Sequence, residues 1–338
     1  MPDIVLLTGI TGFIAKRIAL DLLEAGHTVR GSLRTPARAE EVRAALRPHL
    51  TETGALDRLS FVPLDLTRDE GWAEAMAGAT ALFHTASPFP LAPPRHEDDL
   101  IRPAVDGTHR ALSAAAAAGV TRVVLTSSVV AIEANAKVGR ERLSEADWSD
   151  LSHPRATPYY KSKTLAERAA WDFAEKHPDM RLTTINPSLV LGTPLDAKFG
   201  TSLQLIERIL SRKDPMLPDI GFGIVDVADV SAMHVRALDR PESAGKRYIA
   251  SGASATMPEI AGHLARRHPD RRIATRVAPV ALLRVLGLFD RSIKTALQTI
   301  GPPPAFDNAR AREELGIDFT PWQTAVDRAA DAVLALKR

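Results

Sequence analysis

The stretch Leu6-Leu7-Thr8-Gly9-Ile10-Thr11-Gly12-Phe13-Ile14-Ala15 carries the strongest fold signal in this chain. An apolar run leads into its first glycine, and apolar residues recur at helical spacing after its second, at Ile14, Ile18 and Leu22. The pattern predicts a strand, a tight turn and a helix. Glycine permits the turn and a close approach to a ligand, and the free amide groups that begin a helix suit a diphosphate. The stretch therefore indicates a dinucleotide site, with a plain structural turn as the alternative; its candidate contacts are Thr8, Gly9, Thr11, Gly12, Phe13 and Ile14.

Strand-like and helix-like segments alternate along the first two thirds of the chain. The predicted strands cover residues 4–7, 28–33, 59–62, 81–84, 122–126 and 182–185, and the predicted helices cover residues 13–25, 37–49, 69–77, 97–118 and 156–176. This alternation predicts the α/β class, as a Rossmann-type doubly wound parallel sheet with a smaller, mostly helical C-terminal substrate lobe. We assign 1–192 to the nucleotide-binding domain, with 223–252 returning to it. Residues 193–222 and 253–338 are assigned to the lobe and its closing helices.

The composition is that of an ordinary soluble globular protein. The 338 residues are 45% hydrophobic and 25% charged, with a net charge of +2. No basic tract is present, so neither nucleic acid nor a membrane is expected as a partner. The chain has no cysteine, which excludes disulfides and thiolate metal sites, and no metal is expected. Because we find no signal peptide and no run of ~20 apolar residues, the expected location is cytoplasmic.

Basic side chains follow the second predicted strand. An NAD-specific site usually has an acid here, which grips the ribose hydroxyls. This chain instead has Arg34, with Arg38 four residues later. Guanidinium groups suit a ribose 2′-phosphate, so the pattern favours NADP(H) as the cofactor. The alternative is that both arginines are solvated surface residues.

Further candidate cofactor contacts follow the later strands. Asp65 and Leu66 come after the third strand, where an acid and an apolar wall would hold adenine, although Asp65 could instead cap a helix. Small residues after the fourth strand would let the cofactor pass close to the backbone. The small residues are Thr85, Ala86 and Ser87, and Thr126, which ends the fifth strand, is a further candidate contact.

Three features near these strand ends are interpreted as structural. His84 lies on an apolar strand and is interpreted as packed core. The proline-rich loop 89–94 is expected to rim the pocket. The polar, irregular stretch 133–157 is expected to form a long loop over the site.

Tyr159 and Lys163 lie four residues apart in a predicted helix and therefore share one face. Free tyrosine, with a pKa of about 10, is a poor acid–base group at neutral pH. A neighbouring ammonium favours the phenolate, so Lys163 is expected to lower the pKa of Tyr159. The pair follows a nucleotide turn and a Ser-Ser strand end, and in that context it indicates acid–base chemistry.

The order of these motifs resembles the extended short-chain dehydrogenase/reductase family, in the NAD-dependent epimerase/dehydratase superfamily. The likeness rests on T-G-x-x-G-F-I-A at 8–15, V-L-T-S-S at 124–128 and Y-x-x-x-K at 159–163. The run Y-K-S-K-T-L-A-E-R-A-A-W at 160–171 resembles the branch of dihydroflavonol, cinnamoyl-CoA and aldehyde/ketone reductases. Further matches extend to Leu315-Gly316, so the likeness covers nearly the whole chain.

The resemblance implies roles for three catalytic residues. Ser128 would hydrogen-bond the substrate carbonyl, with a strand-end cap as the alternative role. Tyr159 would be the general acid in reduction. Lys163 would bind the nicotinamide ribose and tune Tyr159, whereas Tyr160 does not fit the family spacing.

The resemblance also implies cofactor contacts. Arg34 and Arg38 match basic residues that grip the 2′-phosphate in NADP-using members. Pro187, Ser188 and Val190 fall where the family lines the nicotinamide pocket. Plant flavonoid reductases have an asparagine five residues past the serine, but this chain has Glu133 there, which removes the residue-level case for a flavonoid substrate.

Regular alternation weakens in the last third of the chain. A helix is predicted at 202–212, a strand at 245–250, and helices at 258–268 and 279–299. The apolar segment 281–289 is too short to cross a membrane. It is interpreted as a buried helix, with a pocket wall or subunit contact as the alternative.

Together these features predict an NADPH-dependent reductase of an aldehyde or ketone, acting as a monomer or homodimer on a small molecule. One alternative is a nucleotide-sugar epimerase or dehydratase with tightly bound NAD. Another is a non-catalytic NADP(H)-binding regulator, which an intact serine, tyrosine and lysine set disfavours.

Overall fold

The computed structural model describes residues 2–87, 96–135, 137 and 141–336. In chain order its strands are β1 (Ile4–Thr8), β2 (Thr28–Leu33), β3 (Leu59–Pro63), β4 (Ala81–His84), β5 (Arg122–Thr126), β6 (Arg142–Leu143), β7 (Arg181–Pro187), β8 (Leu189–Leu191), β9 (Gly221–Asp226), β10 (Lys246–Ala250), β11 (Ala253–Thr256) and β12 (Ala305–Phe306). The predicted loop 89–94 lies outside the described residues.

The helices alternate with these strands. They are α1 (Phe13–Glu24), α2 (Ala39–Leu46), α3 (Trp72–Met76), α4 (Asp98–Ala117), α5 (Pro158–Lys176), α6 (Thr201–Leu210), α7 (Val227–Asp239), α8 (Met257–Arg267), α9 (Val280–Leu286), α10 (Arg291–Leu297), α11 (Ala309–Leu315) and α12 (Trp322–Ala335). No helix in the described part of the chain has the length and apolarity needed to cross a bilayer.

The central sheet has seven parallel strands in the order β3-β2-β1-β4-β5-β7-β10. This order, in which the chain runs outward from β1 to one edge and then to the other, confirms the predicted Rossmann-type doubly wound sheet. A second sheet joins β8, β9 and β11, and a two-stranded ladder joins β6 to β12. Parallel strands end at the same edge, so the carboxyl ends of β1, β4, β5 and β7 meet there.

The central sheet is covered on both faces, as alternation along β1 shows. Val5 and Leu7 belong to a core with α1 and α7, whereas Leu6 belongs to a separate core with α3 and α4. Successive side chains of a strand point to opposite faces, so a continuous apolar run is what a sheet buried on both sides requires. A third core, built mainly from α6, α8 and α12, lies under the second sheet.

The structure corrects two expectations for the last third of the chain. The segment 279–299 forms two helices, α9 and α10, not one. The prediction that 281–289 is a buried helix is wrong, because Leu288 and Phe289 are 80% and 86% exposed and Val285 is more than half exposed. Only Leu283 among the residues of α9 is buried. A short apolar run therefore did not indicate burial here.

Several elements were not predicted at all. The strands β8, β9 and β11 have three to six residues, and α7 begins directly after β9 with the Asp226 side chain accepting a hydrogen bond from the Ala228 amide. The segment 223–252, which was assigned to the nucleotide-binding domain, contributes to two sheets. Strand β9 lies in the second sheet, and β10 is an edge strand of the central sheet. The division into domains stays a prediction.

Two buried histidines form hydrogen bonds at the carboxyl ends of the central strands, His84 between β4 and β1 and His234 between α7 and β5. The ring of His84 is hydrogen-bonded to the Thr8 hydroxyl (3.0 Å), and that of His234 on α7 to the Thr126 hydroxyl (2.7 Å) and the Val230 carbonyl (2.8 Å). Burial lowers the pKa of His84 to about 3 and that of His234 to about 4. Both imidazoles are therefore neutral in the folded protein, and His84 is core as expected.

We predict that stability falls as the pH drops below 6.5. The unfolded chain then gains a proton on His234 that the folded protein does not accept until about pH 4. Between pH 7.5 and 5.0 this histidine alone should cost about 2 kcal/mol of unfolding free energy. Urea denaturation at both pH values should show that His234→Gln loses this part of the pH dependence, while His49→Gln, at an exposed site, keeps it. An equal pH dependence in all three proteins would contradict the assignment.

Candidate active site

A cleft of about 500 Å³ lies at the carboxyl edge of the central sheet. It is bounded by the start of α1, the ends of β4, β5 and β7, the first turns of α5 and the start of α6. The predicted residues that line it are Gly9, Gly12, Phe13, Ile14, Thr85, Ser87, Thr126, Ser128, Tyr159, Lys163, Pro187, Ser188 and Val190. A larger, more open groove of about 770 Å³ between α3 and α4 contains none of the predicted residues.

The glycine turn is shaped for a ligand on its open side. Gly9 has φ +69°, and a Cβ there would lie 2.9 Å from the Cβ of Ala86, so both conformation and space require glycine. The Gly12 amide donates to the Gly9 carbonyl at 2.9 Å, which closes the turn. Helix α1 then begins with no side-chain cap and no acid in its first turn. Its free amide groups and positive dipole end face the cleft, which suits the diphosphate of a dinucleotide.

Thr8 and Ala86 lie behind the cleft and not on its surface. The Thr8 hydroxyl accepts hydrogen bonds from the amides of Thr85 and Ala86, both at 3.1 Å. These bonds hold the end of β4 against the end of β1. Thr8 therefore shapes the site from below, and Thr11, in the turn, is not among the lining residues either.

The predicted contacts for the adenosine end of the cofactor lie outside the cleft. Arg34 is exposed. Arg38 makes a two-point ion pair with Glu41, at 2.8 and 3.1 Å, and this pairing helps lower the pKa of Glu41 to about 2. Asp65 accepts bonds from the amide and hydroxyl of Thr67, so it closes a turn ahead of α3. Leu66 packs against Gly107 of α4. Cofactor contacts by these four predicted residues stay predictions.

Helix α5 carries the catalytic candidates. It begins at Pro158, with the Thr157 side chain capping the amide of Tyr160. Tyr159 and Lys163 line the cleft from the same face of the helix. Across from them, Ser128 follows the end of β5, and its hydroxyl donates to the Pro187 carbonyl at 3.3 Å. Ser128 also acts on Tyr159, whose pKa it lowers. The fold thus brings together three residues that are up to 35 positions apart in the sequence.

Burial sets the protonation of this group. It raises the pKa of Tyr159 to about 12, although Ser128 acts to lower it. Burial thus determines the direction of this shift, and the expectation that Lys163 lowers the pKa of Tyr159 stays a prediction. Burial also lowers the pKa of Lys163 to about 8, against the opposing charge of Glu167. At neutral pH the tyrosine is a phenol and the lysine remains charged.

Glu133 is hydrogen-bonded to Tyr160, the tyrosine that does not belong to the Y-x-x-x-K motif. Its carboxylate accepts a hydrogen bond of 2.6 Å from the Tyr160 hydroxyl. Burial raises the pKa of Glu133, and its charge in turn contributes to raising the pKa of Tyr159. Neither Glu133 nor Tyr160 is a lining residue of the cleft.

Comparison with known proteins assigns the family. The NAD dependent epimerase/dehydratase family matches residues 5–250. The chain belongs to this family. It is 37% identical over 273 residues to tetraketide alpha-pyrone reductase 2 of Arabidopsis thaliana, covering 78% of this chain and 83% of that protein. It is 33% identical over 323 residues to cinnamoyl-CoA reductase 1 of Petunia hybrida, covering 94% and 88%. The predicted resemblance is confirmed.

Solved structures of reductases have the same fold over their whole length. Yeast methylglyoxal/isovaleraldehyde reductase Gre2, complexed with NADPH, superposes with a TM-score of 0.81 at 26% identity and covers 99% of both chains. Gre2 of Candida albicans in complex with NADPH gives a TM-score of 0.82 at 26% identity and covers both chains completely.

Sequence reasoning missed one wall of the cleft. The start of α6 and the residues before it face the glycine turn, and Ala15 and Ser127 add to the lining. The residues without a sequence prediction are Ala15, Ser127, Phe199, Gly200, Thr201, Ser202 and Gln204. The helix itself was predicted at 202–212, but its periodicity gives no information about which end approaches α1.

Proposed function

We propose that this protein is an NADPH-dependent reductase that converts an aldehyde or ketone to an alcohol. The observation that carries the proposal is the convergence of Ser128, Tyr159 and Lys163 in the cleft below the glycine turn. The reductase names of its relatives support it. NADPH is proposed because the two Gre2 structures contain it, and because α1 presents uncapped amides beside a glycine that no larger residue could replace.

The bound nicotinamide would supply hydride to the carbonyl carbon. Ser128 donates a hydrogen bond to the carbonyl oxygen and so orients and polarises it. Tyr159, which is protonated at neutral pH because burial raises its pKa to about 12, gives its proton to that oxygen as negative charge develops. Lys163 keeps a positive charge close to the phenolate that remains, and it binds the ribose hydroxyls of the cofactor.

The second lobe, residues 193–222 and 253–338, is proposed to supply the substrate side of the cleft. Phe199 and Gln204 already reach the cleft from this part of the chain. We therefore expect substrate preference to depend on these later residues, whereas the glycine turn and α5 provide the shared chemistry. A screen of NADPH consumption with aldehydes, α-dicarbonyls, aryl ketones and acyl-CoA thioesters would define the substrate class.

Tyr159→Phe should lower kcat by a factor of about 100 or more, because it removes the proton donor and leaves the ring. NADPH affinity, measured by fluorescence titration, should survive. Tyr160→Phe is the matched control, one position away and outside the cleft, and it should retain most of the activity. Near-normal turnover by Tyr159→Phe, or firmly retained NAD in the purified wild-type protein, would overturn the proposed reaction.

Reduction should decline above about pH 8. Lys163 loses its charge there, since burial lowers its pKa to about 8, while Tyr159 stays protonated. A profile of kcat/KM between pH 6 and 10 should show one alkaline limb near pH 8. A flat profile up to pH 10 would show that the charge on Lys163 is not needed.

Cofactor choice should depend on Arg34. Arg34→Ser should reduce kcat/KM for NADPH about 10-fold or more and leave the value for NADH nearly unchanged, as expected for a charge-assisted phosphate contact. Arg38→Ala is the control, since Glu41 already pairs with that guanidinium, and its effect should be smaller. A wild-type preference for NADH would show that neither arginine grips a 2′-phosphate.

A further inference from the structure

Glu167 is a buried carboxylate on α5, one helical turn beyond Lys163. Its side chain is 0% exposed. Oε2 accepts hydrogen bonds from the Ser127 hydroxyl (2.5 Å) and the Asn186 amide (2.7 Å). Oε1 accepts from Arg247 Nε (2.7 Å), the Thr184 hydroxyl (3.1 Å) and the Trp171 indole (3.3 Å). The carboxylate thus has five donors, which compensate for the cost of its burial.

Four of these five donors come from the central sheet, on or directly after three of its strands, and the fifth, Trp171, lies on α5 itself. Ser127 follows β5, Thr184 and Asn186 lie on β7, and Arg247 lies on β10. Because α5 carries Glu167, the carboxylate fixes the helix against the sheet at the level of the cleft. A helix without this anchor could slide or rotate, and Tyr159 would move with it.

A short chain of hydrogen bonds connects Glu167 to Ser128. The Asn186 amide, which donates to Glu167, also donates to the Ser128 main-chain carbonyl at 3.2 Å. Ser127, the neighbour of Ser128, bonds Glu167 directly. The same carboxylate therefore holds the segment that presents Ser128 and the helix that presents Tyr159.

Arg247 extends this anchor to the loop 145–148. Its Nη1 donates to the carbonyls of Glu145 and Asp147, at 2.7 and 2.8 Å. Its guanidinium lies over the Trp148 ring, 3.8 Å from the ring centre. The ion pair between Arg247 and Glu167 thus connects α5, the edge strand β10 and the loop 145–148.

Lys163 lies close enough to Glu167 for the carboxylate charge to raise the pKa of the lysine. Both side chains line a void of about 10 Å³, space for no more than one water, so the field between them is weakly screened. The titratable groups that face Lys163 are Glu167 and Tyr159 on α5 and His84 from β4. Arg247 from β10 is the charged group that faces Glu167 from the sheet.

We propose that Glu167 is a positioning residue for carbonyl reduction. Its carboxylate holds Ser128 and Tyr159 in their positions relative to each other, and it supplies the negative charge beside Lys163. This inference rests on the proposed function. Glu167 does not touch the cleft and acts through the residues that do. Support for the electrostatic part comes from the pKa of Lys163, which burial lowers and the Glu167 charge raises.

Glu167→Gln tests both parts, because it keeps the shape and removes the charge. We expect kcat to fall at least 10-fold, as misplacement of reacting groups predicts, with the KM for NADPH nearly unchanged. The alkaline limb should also move to lower pH by about one unit, since Lys163 loses its stabilising neighbour. Glu175→Gln, at an exposed site near the end of the same helix, is the matched control and should change neither quantity.

Glu167→Asp separates charge from position and serves if Glu167→Gln does not fold. It keeps the charge, so the alkaline limb should stay in place, but the shorter side chain cannot reach all five donors, so kcat should still fall. Full kcat in Glu167→Asp or Glu167→Gln would overturn the positioning role. A loss of kcat in Glu167→Gln that is equal at every pH, with an unmoved limb, would leave Glu167 as a purely structural residue.

Failure of the proposed function would look different. In that case the wild-type protein would reduce no carbonyl compound with NADPH in the screen. The pH dependence of NADPH affinity, measured by fluorescence in wild type and Glu167→Gln, would then test the charge coupling without any substrate. An identical pH dependence in the two proteins would overturn the coupling.

Discussion

The parallel pairing of the central strands is the constraint on which the rest of this structure depends. Parallel strands need a crossover between each pair, and every crossover leaves the sheet at the same edge. Residues that are far apart in the sequence, such as Gly9, Ser128 and Pro187, therefore meet in one cleft. The pairing also buries the strand ends, so their polar groups must find partners there. Thr8, His84 and Thr126 do so through hydrogen bonds that hold the edge rigid.

Burial of this edge has opposite effects on the two ionisable groups that matter most. Loss of solvent disfavours the charged form of each, so it raises the pKa of Tyr159 and lowers that of Lys163. This combination suits the proposed reduction, in which the tyrosine would start with its proton and the lysine would carry its charge. Tyr159 meets the first requirement without help. Lys163 meets the second by a small margin, because its pKa is about 8 and the charge of Glu167 only partly opposes the effect of burial.

The sequence predicted those parts of the fold whose signals are local. The bounds of β2, β4 and β5 coincide with the predicted segments 28–33, 81–84 and 122–126. For β4 and β5 the signal is a short run of apolar residues. The strands of the second sheet were missed, since β8 has only three residues, β11 has four small or polar residues, and β9 begins with Gly-Phe-Gly. The burial predicted for 281–289 was wrong, because the apolar character of a segment does not show whether another element covers it.

The same distinction applies to the site. The glycine turn, Ser128, Tyr159 and Lys163 could be found because each belongs to a motif with fixed spacing. Phe199 and Gln204 could not, since their approach to the cleft depends on how α6 packs under the second sheet. Glu167 carried no signal of its own either. Its position one turn after Lys163 is ordinary for a helix, and only the packing of β7 and β10 against that turn shows that it is buried and bonded to five donors.

Glu133 does not line the cleft, yet its charge affects the pKa of Tyr159 within it. Its carboxylate is engaged by the Tyr160 hydroxyl at 2.6 Å, and burial raises its pKa. A substrate hydroxyl approaching this carboxylate would have to compete with a short, buried hydrogen bond, whose loss would leave Tyr160 without its partner. The arrangement also places negative charge near Tyr159, which helps to keep that phenol protonated. The Glu133–Tyr160 pair thus acts on Tyr159 through its charge, although neither side chain lines the cleft.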